Sequence, residues 1–430
     1  MRRRPLLGRL GFISGALISL FVSAAAWGQN PDFPSAEVES VTGRQRTDFQ
    51  TLGVEVGNFI LHSALQGEGL YDTNVFLTPK AQSDFVRRLR PSLGLAGEVG
   101  DTTIQANATA EATWYKEFHA NNYIDFNAVA SAKHDITDES NITLTAREAR
   151  IHELRGTVND PGTACGPNQY DLTTVALQPQ FSSAPWIGSF KIEGRYFDWL
   201  PNCGISNSDR SDRELYANTR EGYQFDNGIT AFVEPSYEIH QFIKRRDRDG
   251  LNHDSQTYQG LLGISYDALQ NANLEFSAGY FWEDFFAKDQ FLGTEAIPGH
   301  FGGWSVQGTG LWNFTSDMTL TGSISRTRTD VLPFDFVIDT TVDETTAGLL
   351  RLDWETTDHL VTYIFGNDHY DQYPGTSLNE NTLSASVGGT YYVNQYLSLE
   401  VQYVYAFRTS SLATRKYADN QIFFRINGQY

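Results

Sequence analysis

Three observations predict an all-β fold, a transmembrane antiparallel up-and-down β-barrel of about 16–18 strands. They are an N-terminus built for export, long runs alternating apolar with polar residues, and connectors alternating between short and long. The export signal comes first in the chain. Arg2, Arg3, Arg4 and Arg9 make a positive start, an apolar stretch runs from Leu10 to Val22, and small residues precede Gln29. Residues 1–28 therefore read as a secretory signal peptide, with an apolar part too short for a spanning helix. Removing it takes away four arginines and moves the formal charge from −20 to −24, which argues against any nucleic-acid partner. Later in the chain no apolar run is long enough for a helical span, so a membrane role must come from strands.

From residue 59 onward the dominant period is two. In "LSLEVQYVYAF", Leu397, Leu399, Val401, Tyr403, Tyr405 and Phe407 fall on one face, and Ser398, Glu400 and Gln402 on the other. "TIQANATAEATW", "LEFSAGYFW" and "WSVQGTGLW" repeat the pattern. Such runs are longer than a typical soluble strand and suit a tilted crossing of a membrane. A composition rich in aromatic residues (13%) yet negative in mean hydropathy fits a wall that is apolar outside and polar inside.

The connectors sort into two classes. Short turns occur at 99–101, 135–140, 182–185, 226–228, 268–273, 315–317, 355–359 and 393–395; between them lie long polar loops such as "RGTVNDPGTACGPNQ" and "DWLPNCGISNSDRSD". This alternation predicts tight periplasmic turns, longer extracellular loops and both ends of an even-numbered barrel in the periplasm. Residues 29–57, polar and carrying two prolines, read as a flexible periplasmic lead, and residues 58–430 as the barrel. The closing run "NQIFFRINGQY" alternates to an aromatic end at Tyr430, the kind of signal that outer-membrane assembly machinery reads. Rings near strand ends form two expected girdles. Trp114, Tyr115, Trp282, Trp304 and Tyr370 lie beside long loops, and Trp186, Tyr266, Trp312, Phe314, Trp354 and Tyr396 beside short turns. A barrel of this size is expected to enclose water rather than a packed core.

The stretch from Gly53 to Phe76 carries a Gly57-Asn58-Phe59 start and ends in Tyr71-Asp72-Thr73-Asn74-Val75-Phe76. With the ending around "DNQIFFRI" it resembles the β-barrel porin type 2 family of bacterial outer-membrane proteins. The resemblance implies an outer-membrane pore that often accompanies exopolysaccharide synthesis and export. Its implied partners are outer-membrane lipids, the barrel assembly machinery, a polysaccharide and a periplasmic export protein. Asp72 and Asn74 read as rim residues whose side chains bond nearby backbone.

By parity with apolar neighbours, Arg88, Arg90, Arg147, Lys191, Arg195, Arg220, Arg351 and Arg425 face the lumen, as do Glu111, Glu193, Glu214, Glu234, Glu238, Glu275 and Glu400. Such charges either bias which solutes pass or pair and fill the barrel. The mixture of signs suits neutral or weakly charged polar solutes. Cys165 and Cys203 fall in successive long loops, where a disulfide is expected in an oxidising compartment. Asp247–Gly250 and the group Asp335, Asp339, Asp343 and Glu344 lack full calcium-loop spacing and read as solvated carboxylates. Asp368-His369 beside Ser377 is the single grouping with hydrolase residue types, and there is no GxSxG. The sequence thus predicts a bacterial outer-membrane channel with no cofactor and no enzymatic role. The alternatives are a non-conducting accessory barrel or, third, a lipid-modifying enzyme.

Overall fold

The structure is a computed structural model and describes residues 38–430 apart from 45, 249, 270, 288–289, 293–294, 298 and 331–341. The expected signal peptide at 1–28 and residues 29–37 of the expected lead lie outside the described residues. Eighteen antiparallel strands build the wall. They are β1 (Phe59–Asp72), β2 (Asp84–Val99), β3 (Thr102–Tyr115), β4 (Tyr123–Thr137), β5 (Ser140–His152), β6 (Gln169–Ser183), β7 (Trp186–Trp199), β8 (Asp212–Gln224) and β9 (Ile229–Phe242). The second half comprises β10 (Ser255–Leu269), β11 (Ala272–Phe285), β12 (His300–Thr315), β13 (Met318–Asp330), β14 (Val342–Thr357), β15 (Leu360–Gln372), β16 (Asn379–Asn394), β17 (Leu397–Ser410) and β18 (Tyr417–Gln429).

Each strand pairs with its sequence neighbours, and β1 pairs with β18 from Ala64↔Gln429 to Asp72↔Gln421, so the sheet closes on itself. Closure leaves no sheet edge unpaired, which is the condition for a sheet to sit in lipid. The closing strand is fastened at its tip: Tyr430 N–H donates to Ser63 O at 2.8 Å, and Ser63 N–H donates to Tyr430 O at 2.9 Å. Two-residue gaps such as 100–101 and 316–317 join strands at one end, and loops such as 153–168 and 200–211 at the other. Strands of 13 to 16 residues exceed the 9–11 needed to cross lipid, so their ends project beyond it.

The two-residue period sorts the side chains. Leu93, Leu262, Ile264, Val387 and Phe424 are exposed on the outside, while Glu68, Phe232, Glu283 and Gln402 are buried inside. Trp114, Trp282 and Trp304 are exposed near the long-loop end, and Trp186, Trp312, Trp354 and Tyr396 near the short-turn end. One girdle expectation is corrected. Tyr115 follows Trp114, so it points inward, against a cluster of Leu70, Val86, Val404 and Phe423. The inner face is therefore not polar throughout.

The lead is corrected as well. Its described part, expected to be flexible, is anchored at the short-turn end. Val41 is fully buried and its N–H donates to Thr319 Oγ1 at 2.8 Å. Arg46 pairs with Glu355 at 3.0 Å, and Phe49 packs edge-on against His359. Gly57, at φ +63°, then turns the chain so that Val54–Val56 pairs with the start of β1.

Candidate functional site: the inner wall and its long-loop mouth

Strand closure brings residues from both ends of the chain together on the inner wall. Glu68 on β1 has no exposed side-chain surface and takes three guanidinium groups. Arg88 lies at 2.8 Å and Arg90 at 3.3 Å from β2, and Arg425 at 2.6 Å from β18. Arg90 also bonds Glu111 on β3, and Arg425 reaches Glu400 on β17 at 2.7 Å. Tyr363 on β15 donates its hydroxyl to Glu400 at 2.8 Å, and Arg351, held by Asp353 at 2.7 Å, lies 4.4 Å above the Tyr363 ring. One chain of paired charges thus runs around this part of the wall.

A second chain lines the far side. Lys191 pairs with Glu193 at 2.7 Å, and Arg195 reaches Glu193, Glu214 at 3.0 Å and Glu238 at 3.7 Å. Below them Arg220 joins Glu275 at 2.6 Å and Glu234 at 3.6 Å. Its guanidinium also lies 3.6 Å over the Phe232 ring. That ring needs a glycine opposite, because a Cβ on Gly263 would come within 2.1 Å of it. Arg147 is held differently, donating to Asn127 Oδ1 at 2.7 Å. All the lumen-facing positions named from sequence lie on the inner face, and among the described residues all but Arg147 enter an ion pair.

Sequence reasoning passed over Glu68, Asp353, Asp212, His240, Glu283, Arg328 and Glu380, although parity was a usable signal for each. Glu283, for example, follows outward Trp282, and it pairs with Arg328 at 2.6 Å. Glu68 lies inside the family-like stretch, between Gly67 and Gly69.

The long-loop mouth is crossed by a folded segment. Residues 153–168, which join β5 to β6, meet the loop joining β15 to β16 on the other side of the ring, where Val158 packs with Tyr373 and Leu378. Gly156 O accepts from Arg415 at 3.0 Å and from Arg408, and both arginines also pair with Glu380. At its base Arg155 pairs with Asp160 at 2.8 Å and stacks 5.4 Å over Phe76. Cys165 is bonded to Cys203, tying this segment to the next long loop. That loop is fastened onward: Asp209 binds Arg248 at 2.9 Å. Burial pushes the Asp209 carboxyl up, but the hydrogen bonds and charge of Arg248 outweigh it and hold the group below the usual range.

Asp72 and Asn74 form the rim where β1 ends. Asp72 Oδ1 accepts from Asn74 N–H at 2.7 Å, and the fully buried Asn74 donates to Thr78 O and Ala418 O. Of the calcium-loop candidates, Asp247 accepts from Leu251 N–H at 2.8 Å and faces His253, while Asp249, Asp335 and Asp339 lie outside the described residues. Glu344 pairs with Arg326 at 3.0 Å. The hydrolase-like grouping is not assembled: His369 faces Asp371 at 2.9 Å, and Asp368, its sequence neighbour, points to the other face of β15.

The closed, charge-lined barrel defines a porin-like outer-membrane protein. Residues 46–430 match the family described as "Putative beta-barrel porin 2", and the chain belongs to that family. Its place is the bacterial outer membrane, where barrels of this kind keep their short turns in the periplasm and their longer loops outside. No curated protein matches the chain. Similar solved structures include the copper transporter OprC, at 11% identity and TM-score 0.48 over 85% of this chain. The chain spans only 63% of that transporter's length. The outer membrane protein OpdK from Pseudomonas aeruginosa is 11% identical, with TM-score 0.47 over 86% of this chain and 99% of its own. The ferric enterobactin receptor PfeA of the same organism is 8% identical, with TM-score 0.44 over 86% of this chain and 80% of its own.

Proposed function

We propose that the protein is a passive channel for neutral or weakly charged polar solutes and serves an exopolysaccharide export system. The observation that carries this reading is the pairing of charge along the inner wall of a closed barrel of eighteen strands. Barrels of 16–18 strands enclose water, and a wall whose charges are engaged with one another attracts mobile ions less than free charges would, while still offering hydrogen bonds to hydroxyls. Single-channel recording of the refolded protein in planar bilayers tests it. Conductance that falls on adding exopolysaccharide fragments is the expected result. Conductance insensitive to those fragments overturns the polysaccharide link.

The crossing of the mouth by 153–168 favours one competing reading, a barrel closed by its own loops. Absence of conductance in the wild type, with conductance in a Cys165→Ser/Cys203→Ser variant, would replace the open channel with this one.

A further inference from the structure

We propose that Asp212, Glu214 and His240 form a site for one divalent transition-metal ion of the zinc class, on the inner wall just below the extracellular mouth. Asp212 and Glu214 sit two apart on the inward face of β8, and His240 is the cross-strand partner of Glu214 on β9. Sheet register therefore puts two carboxylates and an imidazole at one point. One ligand atom from each residue lies within 4.8 Å of the other two.

His240 Nε2 is 2.8 Å from Asp212 Oδ2 and 3.9 Å from Glu214 Oε1. Donors around a tetrahedral zinc, each about 2.0–2.1 Å from the metal, stand about 3.3 Å apart. The two distances bracket that value, so small rotations about the side-chain bonds would admit an ion.

The surroundings are those of a prepared site. All three residues are buried, at 5–7% exposure, so an ion there would be partly stripped of water and strongly held. Arg195 takes the other oxygen of Glu214, Oε2, at 3.0 Å and leaves Oε1 turned toward His240. Phe242 stacks on the His240 ring with centroids 4.5 Å apart, which fixes the ring plane. Such outer partners orient metal ligands and tune their affinity. One imidazole with two carboxylates selects borderline transition ions over calcium and magnesium, which take oxygen ligands alone. Three protein ligands also leave a fourth position for water or a solute oxygen.

The experiment uses the full mature chain, refolded in detergent and stripped with chelator. Titration with ZnCl2 by calorimetry, and with CoCl2 by visible absorption, reads the site. The expected result is one saturating ion per chain and a Co2+ spectrum of low coordination number, neither displaced by excess Ca2+ or Mg2+. His240→Gln and Asp212→Asn, each checked for barrel folding by heat-dependent gel mobility, should each weaken Zn2+ by more than about tenfold. Pulsed EPR of Cu2+ on the wild type needs no variant and should show a single coordinated imidazole. Lack of saturable binding, unchanged affinity in folded variants, or no imidazole or several in the EPR would each overturn the proposal. The trio would then be a hydrogen-bonded His–carboxylate cluster.

Discussion

Glu68 shows how one residue can bind the ends of a chain together. Its side chain is wholly buried among Arg88, Arg90 and Arg425, and β1 and β18 meet only because the barrel closes there. Such a carboxylate is worth less than its contacts suggest while intact, since desolvation offsets attraction, but removing it leaves guanidinium groups short of a counter-charge. Glu68→Ala is therefore expected to destabilise the barrel by about 3–5 kcal/mol. Urea unfolding in lipid vesicles, followed by tryptophan fluorescence, checks this, and a loss below about 1 kcal/mol would mean the cluster is hydrated. That Glu68 faces inward was legible, because Gly67, Gly69 and Tyr71 take the other parity. Its partners were not, since Arg425 lies 357 positions away and only strand register brings it close. The same limit hid the pairing of His240 with Asp212 and Glu214.

At the scale of the element, strands and turns were readable and loop docking was not. A strand writes its burial into every second residue, and two-residue gaps leave few ways to connect neighbours. The lead and the loop 153–168 have no period; what fixes them is remote, in Glu355 and Thr319 for the lead and in Arg408, Arg415 and Tyr373 for the loop. Asp209 and Arg248 make a docking contact with a pH signature. The Asp209 carboxyl is held below its ordinary value in the folded state, so it stabilises the loop pair at pH above about 3.9, the ordinary Asp value. This stabilisation is lost as pH falls through the lower folded value, when the native group takes up its proton. Hydrogen exchange of residues 200–211 and 243–254 is expected to accelerate as pH falls below about 3.9, beyond the intrinsic pH dependence of exchange. Asp209→Asn should exchange quickly across the whole range. A wild type whose corrected exchange stays flat as pH falls would show that the pair does not hold the loops.

For the whole molecule the question is where the surplus negative charge resides, since the chain carries 52 acidic against 32 basic residues. On the inner wall part of it is shared among few bases: Arg195 serves Glu193, Glu214 and Glu238, and Arg220 serves Glu234 and Glu275. Many carboxylates lie at the short-turn end: Glu98, Asp101, Asp135, Asp138, Glu139, Asp226, Asp317 and Asp358 are all exposed there, around the periplasmic opening. The alternation of turns made this ring readable, but the pairing of the wall's charges emerged only when register brought the partners together. A wall of paired charges behind an acidic rim makes ion selectivity largely a matter of screening. The rim acts through water, across about 10 Å at 0.1 M salt but only about 3 Å at 1 M. A channel of this design should prefer cations in dilute KCl and lose the preference in concentrated KCl. Reversal potentials across a fixed KCl ratio, measured at both ionic strengths, are expected to move toward zero as salt rises. A cation preference that survives at 1 M would place unpaired carboxylates on the wall itself, and the pairing of the inner charges would then fail as the basis of selectivity.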